Sequence, residues 1–110
     1  MAGKFELKKS PSGKFMFNLK AGNGQIILTS QMYATKASAV NGIESVRKNS
    51  QDDSRFDRKV AKNGEPLFSL TSSNGQNIGK SESYSSASAM ENGVASVKKN
   101  APDAPVADNT

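Results

Sequence analysis

Histidine and cysteine are both absent from this chain, so any chemistry must come from carboxylates, lysines, tyrosines, hydroxyls or backbone amides. That removes the commonest general base and metal ligand, a thiolate nucleophile and a Ser-His-Asp triad, and with them a structural zinc site. One adjacent carboxylate pair, Asp52-Asp53, has the composition for acid–base work of the glycosidase kind. It sits in a polar connector, where a helix-exit loop accounts for it. Gly22-Asn23-Gly24 could cradle a phosphate on its amides, but it lacks the Gly-Lys-Ser/Thr continuation and the following helix of a phosphate loop. A hairpin turn explains it better, since Asn-Gly tolerates the positive φ of a tight two-residue turn. No catalytic residue, cofactor site or metal site is expected.

What remains is a pattern of polar residues. Asn41, Ser45 and Lys48 are spaced i, i+4, i+7, one stripe of a helix roughly opposite its apolar face. The same three recur as Asn92, Ser96 and Lys99. Tyr33 and Tyr84 precede the two helical patterns at matching positions. Solvent-facing polar residues are free to drift after a duplication, so these eight form the candidate interaction surface. Recent duplication, solubility and helix-terminal charge are the plainer explanation.

The elements that position them follow from an internal repeat. Residues 4–50 align on 55–101 without a gap, with 17 of 47 positions identical. A repeat at fixed offset determines the architecture before any single element does. Within each unit the pattern reads as three strands and a helix. Phe5 and Leu7 alternate with polar residues; Phe15, Phe17 and Leu19 do the same; a third strand runs from about Gln25 to Thr29. Thr35 and Ser86 are predicted N-caps, and each helix is predicted to end at its asparagine, Asn49 or Asn100. Ala39, Gly42, Ile43 and Val46 make one apolar stripe, matched by Met90, Gly93, Val94 and Val97. A glycine on that stripe predicts close approach of helix to sheet. Pro105–Asn109 falls on the repeat position of Ser54–Arg58, which predicts a short edge strand where composition alone predicts disorder.

The reading is therefore an α+β fold, with two tandem β-β-β-α-β repeats (1–53 and 54–110) sharing one mostly antiparallel sheet and two helices on one face. The motifs Gly3-Lys4-Phe5-Glu6, Phe17-Asn18-Leu19-Lys20-Ala21-Gly22-Asn23-Gly24, Ile27-Leu28-Thr29-Ser30 and Asn41-Gly42-Ile43-Glu44-Ser45-Val46 resemble the YegP-like family of small bacterial proteins. The resemblance implies this tandem unit with terminal strands exchanged between copies, and carries no assigned biochemical role. The second unit departs from the pattern at Ile78-Gly79 and at Pro66, which stands where the first has Phe15.

Charge and composition narrow the function classes. The chain carries a net charge of +5. The cations concentrate in the first half: residues 1–51 hold eight Lys/Arg and two Glu, whereas residues 52–110 hold seven and eight. All five phenylalanines sit on core-facing positions, leaving no exposed aromatic for base stacking, and the opposite strand face is mixed in sign. Nucleic acid is disfavoured. With no apolar span and no secretory-type start, the expectation is a cytoplasmic monomer with internal pseudo-dimer symmetry. Its expected role is a non-enzymatic interaction module for an unknown protein partner. The alternative is a weak, non-specific binder of nucleic acid or another polyanion.

Overall fold

The computed structural model describes residues 3–110. Unit 1 supplies β1 (Lys4–Lys9), β2 (Phe15–Lys20), β3 (Ile26–Thr29) and α1 (Lys36–Asn49). Unit 2 supplies β4 (Phe56–Val60), β5 (Pro66–Thr71), β6 (Asn77–Lys80) and α2 (Ala87–Asn100), and the chain ends in β7 (Val106–Asn109). All seven strands form one sheet in the order β4-β5-β6-β3-β2-β1-β7. The fold is α+β, the two units facing each other across the β3–β6 seam, where Thr29 pairs with Lys80.

The hairpins differ from the predicted two-residue turns. Among the described residues none other than glycine has a positive φ, and Gly13, Gly24, Gly64 and Gly75 all sit at φ 84°. In the β2–β3 hairpin the Gly24 N–H donates to the Ala21 carbonyl and the Ala21 N–H to the Gln25 carbonyl. This is a three-residue loop, a type I turn closed by a left-handed glycine. Asn23 keeps a negative φ because its side chain is occupied: its Oδ1 accepts the Gln25 N–H at 3.0 Å. Gln25 closes the loop against Ala21, and β3 starts at Ile26, one residue later than predicted.

Both helices begin where their hydroxyl caps place them. Thr35 accepts from the Ser38 N–H and Ser86 from the Ala89 N–H, each at 3.1 Å. Their apolar stripes bury Ile43, Val46, Val94 and Val97 against Phe5, Phe17, Leu19, Phe56, Phe68 and Leu70. The helices also cross the seam: α1 packs on β5 and β6 as well as β2, and α2 on β3 as well as β5. Neither unit completes its core alone.

The helix-free face is less open than its alternating polar pattern suggests. Glu6, Asn18, Leu67 and Ser69 are all buried there. Lys20, Lys8 and Lys4 surround the Glu6 carboxylate at 3.1, 3.5 and 3.8 Å. The Lys20 hydrogen bond, ahead of the other lysines, holds the Glu6 carboxyl below its usual range. Ser69 is paired across the strands with Asp57 on one side and Lys80 on the other.

β7 lies parallel to β1, pairing Phe5 with Val106 through Lys8 with Asn109. The Phe5 N–H donates to the Pro105 carbonyl, Arg47 donates to the Ala104 carbonyl at 2.6 Å, and Lys36 pairs with Asp108. This cover leaves Leu7 1% exposed. The repeat mate of Leu7 is Arg58, on the edge strand β4, and among the described residues no β7-like strand pairs with β4. Arg58 grips Glu91 with two bonds, at 2.6 and 3.0 Å, and Asp53 with a third at 3.0 Å. The uncovered edge carries a charge where the covered one carries leucine, a standard protection against strand addition.

Candidate functional site

Tyr33 and Tyr84 are half-buried, and each ring is laid between helix and sheet. Tyr33 stacks on Phe17 at 6.2 Å and Tyr84 on Phe68 at 6.3 Å between ring centroids, both with planes 11° apart. A Cβ at Gly42 would lie 2.5 Å from the Tyr33 hydroxyl oxygen, and one at Gly93 would lie 2.3 Å from that of Tyr84. The glycines therefore admit a tyrosine ring, where close helix-to-sheet contact was predicted. Burial raises both phenol pKa values, for Tyr84 with help from the Glu82 carboxylate. Both hydroxyls stay protonated at neutral pH and are poor general bases.

The Asp52-Asp53 pair is equally ill-suited to proton transfer. Asp52 accepts from the Ser54 hydroxyl and N–H, which holds its pKa down. Asp53 is paired with Lys98 and Arg58, and is held down by the hydrogen bonds they donate, Lys98 first. A general acid at neutral pH needs its pKa raised.

Beside Tyr84 the structure opens a groove of about 330 Å³ between α2 and the β2–β3 hairpin. One wall carries Asn92 and Ser96 on α2, the other Asn23 and Gln25 on the hairpin, with Ile27 and Gly93 also in the lining. Ala21 and Ala89 complete it, and no charged side chain takes part. Each wall comes from a different repeat. The repeat relation assigns the same set to the opposite side, with Tyr33, Asn41, Gly42 and Ser45 on or before α1, and Asn74, Gln76 and Ile78 in the β5–β6 hairpin against which α1 packs.

The identities between the repeats concentrate here. Seven of the nine groove positions are the same residue in both copies, against ten of the other 38 aligned positions. Most of the seven have a structural reason. Ile27 is core, Gly93 makes room for Tyr84, Tyr84 stacks on Phe68, and Asn23 braces the turn. Ser96 accepts from Asn100 Nδ2 at 3.1 Å. Gln25 and Asn92 have none: among the described residues, neither side chain takes part in a hydrogen bond. They are 67 residues apart and face the same groove.

A family model described as a domain of unknown function, DUF1508, matches residues 10–57 and again 61–108. A UPF0339 protein of Bordetella pertussis is 57% identical over 110 residues, covering 100% of this chain and 98% of the relative. The UPF0339 protein YegP of Escherichia coli O157:H7 is 52% identical over 110 residues, with full coverage of both. The chain belongs to the YegP-like UPF0339 family. The solution structure of yegP from E. coli, a protein of unknown function, superposes with a TM-score of 0.95 at 51% identity, covering 100% of this chain and 95% of that one.

Within this YegP-like frame the eight predicted site residues separate. Tyr84, Asn92 and Ser96 meet in the groove, and Tyr33, Asn41 and Ser45 hold the repeat-related positions. Lys48 and Lys99 lie outside the lining, exposed at the helix ends. The predicted stripe is not wholly solvated. Ser45 and Ser96 are partly buried, each accepting from the side chain of the helix-terminal asparagine. Alternation places Gln25 at the start of a strand, where its side chain carries no site signal. Its signal is instead its identity with Gln76 inside the Asn-Gly-Gln block.

Proposed function

We propose that this chain is a non-enzymatic binding module whose ligand lies in the groove between α2 and the β2–β3 hairpin, with a second, repeat-related position beside α1. One observation carries the reading. The two groove residues that the fold does not use, Gln25 and Asn92, are both kept in both repeats and face each other across walls built by different units. The lining has side-chain amides, hydroxyls and a small apolar floor, and no charge, so the part of a ligand that lies within it is polar and uncharged. A charge set inside the lining would lose hydration without compensation, and any charge on the ligand must fall beyond it. The polyanion alternative would draw on Lys4, Lys8 and Lys20, of whose three charges the single Glu6 carboxylate offsets one.

No helix is long and apolar enough to cross a membrane among the described residues. The test is designed for the cytoplasm, the compartment the sequence reading expects. A photo-crosslinking amino acid at Asn92 should yield discrete adducts in living cells, and Gln25→Ala should suppress them. The same group at Lys62, in the exposed β4–β5 turn, should yield none of these adducts. Equal labelling from both positions, or adducts indifferent to Gln25→Ala, would remove the groove from consideration.

A further inference from the structure

A third repeat-retained side chain without a partner points to the chemistry of the ligand. The alignment keeps lysine at two places, Lys8/Lys59 and Lys48/Lys99. The first pair is satisfied locally, Lys8 by Glu6 and Lys59 by Asp57, each at 3.5 Å. Among the described residues neither Lys48 nor Lys99 has an acidic partner, and both are exposed. The neighbouring position in each helix changes from Arg47 to Lys98, and both of those work within the fold, on the Ala104 carbonyl and on Asp53. Helix-terminal charge explains a cation at either position, but not why the unoccupied one is the one kept as lysine.

Lys99 follows Ser96 by three residues, so it continues the Asn92–Ser96 stripe by one turn. At 1.5 Å per residue it stands about 10 Å along the axis from Asn92, which an extended chain spans in about three residues. Side-chain amides of Gln25 and Asn92 each offer one acceptor and two donors, the complement of a peptide group. They do so from opposite walls, as flanking strands would.

We propose that the groove takes the free C-terminal end of an extended peptide, its backbone paired with Gln25 and Asn92 and its terminal carboxylate met by Lys99. Gln76, Asn41 and Lys48 form the repeat-related set. This rests on the groove reading. The carbonyl end of a helix disfavours an anion, so here the lysine decides whether a terminal carboxylate strengthens binding.

The test titrates the ¹⁵N-labelled full chain with acetyl-Ala-Ser-Ala bearing a free carboxylate, and with its C-terminal amide. Both should shift Gln25, Asn92 and Ser96. The acid should bind about three- to five-fold more tightly at low salt, the range of an exposed ion pair. That preference should vanish in 0.5 M salt and in the Lys48→Gln/Lys99→Gln double variant, and survive Lys62→Gln. Equal binding of acid and amide within the groove overturns the carboxylate assignment and leaves the groove reading standing. Absence of groove shifts with either probe overturns both, and so do acid-dependent shifts centred on Lys4 and Lys20.

Discussion

Replacing Gly93 by alanine inserts one methyl into space that Tyr84 already holds. The added carbon would stand 2.3 Å from the Tyr84 hydroxyl oxygen, 2.7 Å from Cζ and 3.2 Å from a ring carbon of Phe68. Ordinary contact begins near 3.4 Å, so the tyrosine must withdraw by about 1 Å or the helix must lift. Phe68 is fully buried and stacked on Tyr84, which leaves the ring little room to slide. Three effects compete. Alanine improves helix propensity by about 1 kcal/mol. Overpacking removes about 1–3 kcal/mol. A disturbed aromatic pair removes part of a further ~0.5–1.5 kcal/mol. The net expectation is a loss of about 1–2 kcal/mol, read as a fall of roughly 1 M in the urea midpoint by far-ultraviolet circular dichroism. The decisive control is Tyr84→Ala. In that background the obstacle is gone, and Gly93→Ala should become neutral or stabilising by up to about 1 kcal/mol. An unchanged or raised midpoint for Gly93→Ala alone, or a penalty that persists without Tyr84, would refute the reasoning.

Three further outcomes are expected. Arg58→Leu removes the contacts to Glu91 and Asp53 and places an apolar side chain on the uncovered β4 edge, so the variant should self-associate with concentration in sedimentation equilibrium; a strictly monomeric variant contradicts the edge-protection account. Asp108 is pushed down to about 2 by its pairing with Lys36 and its bonds to Thr110, so its contribution is present above the ordinary value of 3.8 and is lost as pH falls through about 2. Amide protection at Val106–Asp108 should therefore decline relative to Leu19 between pH 4 and 2, and constant relative protection would count against it. Residues 1–53 alone lack the β5 and β6 surfaces on which α1 packs, and should be unfolded or dimeric; a stable monomer by light scattering and circular dichroism would refute the shared core.

Much of the fold was legible because local rules and the repeat agreed. Alternation at Phe15, Phe17 and Leu19, the hydroxyl caps Thr35 and Ser86, and the terminal asparagines each specify their element from a few neighbours. The offset also pointed to a strand in a tail whose composition argued for disorder, and β7 is found there. Legibility stopped where a side chain had a choice of partner. Asn23 could take a positive φ or brace the turn, and its bond to Gln25 chose the second. Glycine on the helix stripe could admit the sheet or a ring, and only the placement of Tyr33 and Tyr84 decides that. Glu6 and Ser69 look solvated by alternation, yet they are buried by neighbours on adjacent strands, which a single strand's pattern does not contain.

The candidate site shows the same division. That Asn92, Ser96 and Tyr84 are kept in both copies is a property of the sequence, readable from the 51-residue offset without coordinates. Periodicity and capping act within a few residues of one another, so the sequence by itself determined the elements, their order and the repeat. Whether Asn92 faces open solvent or a partner wall depends on which hairpin α2 packs against. The tertiary structure alone made that choice, by carrying α2 across the seam onto β3 and setting Asn92 opposite Gln25.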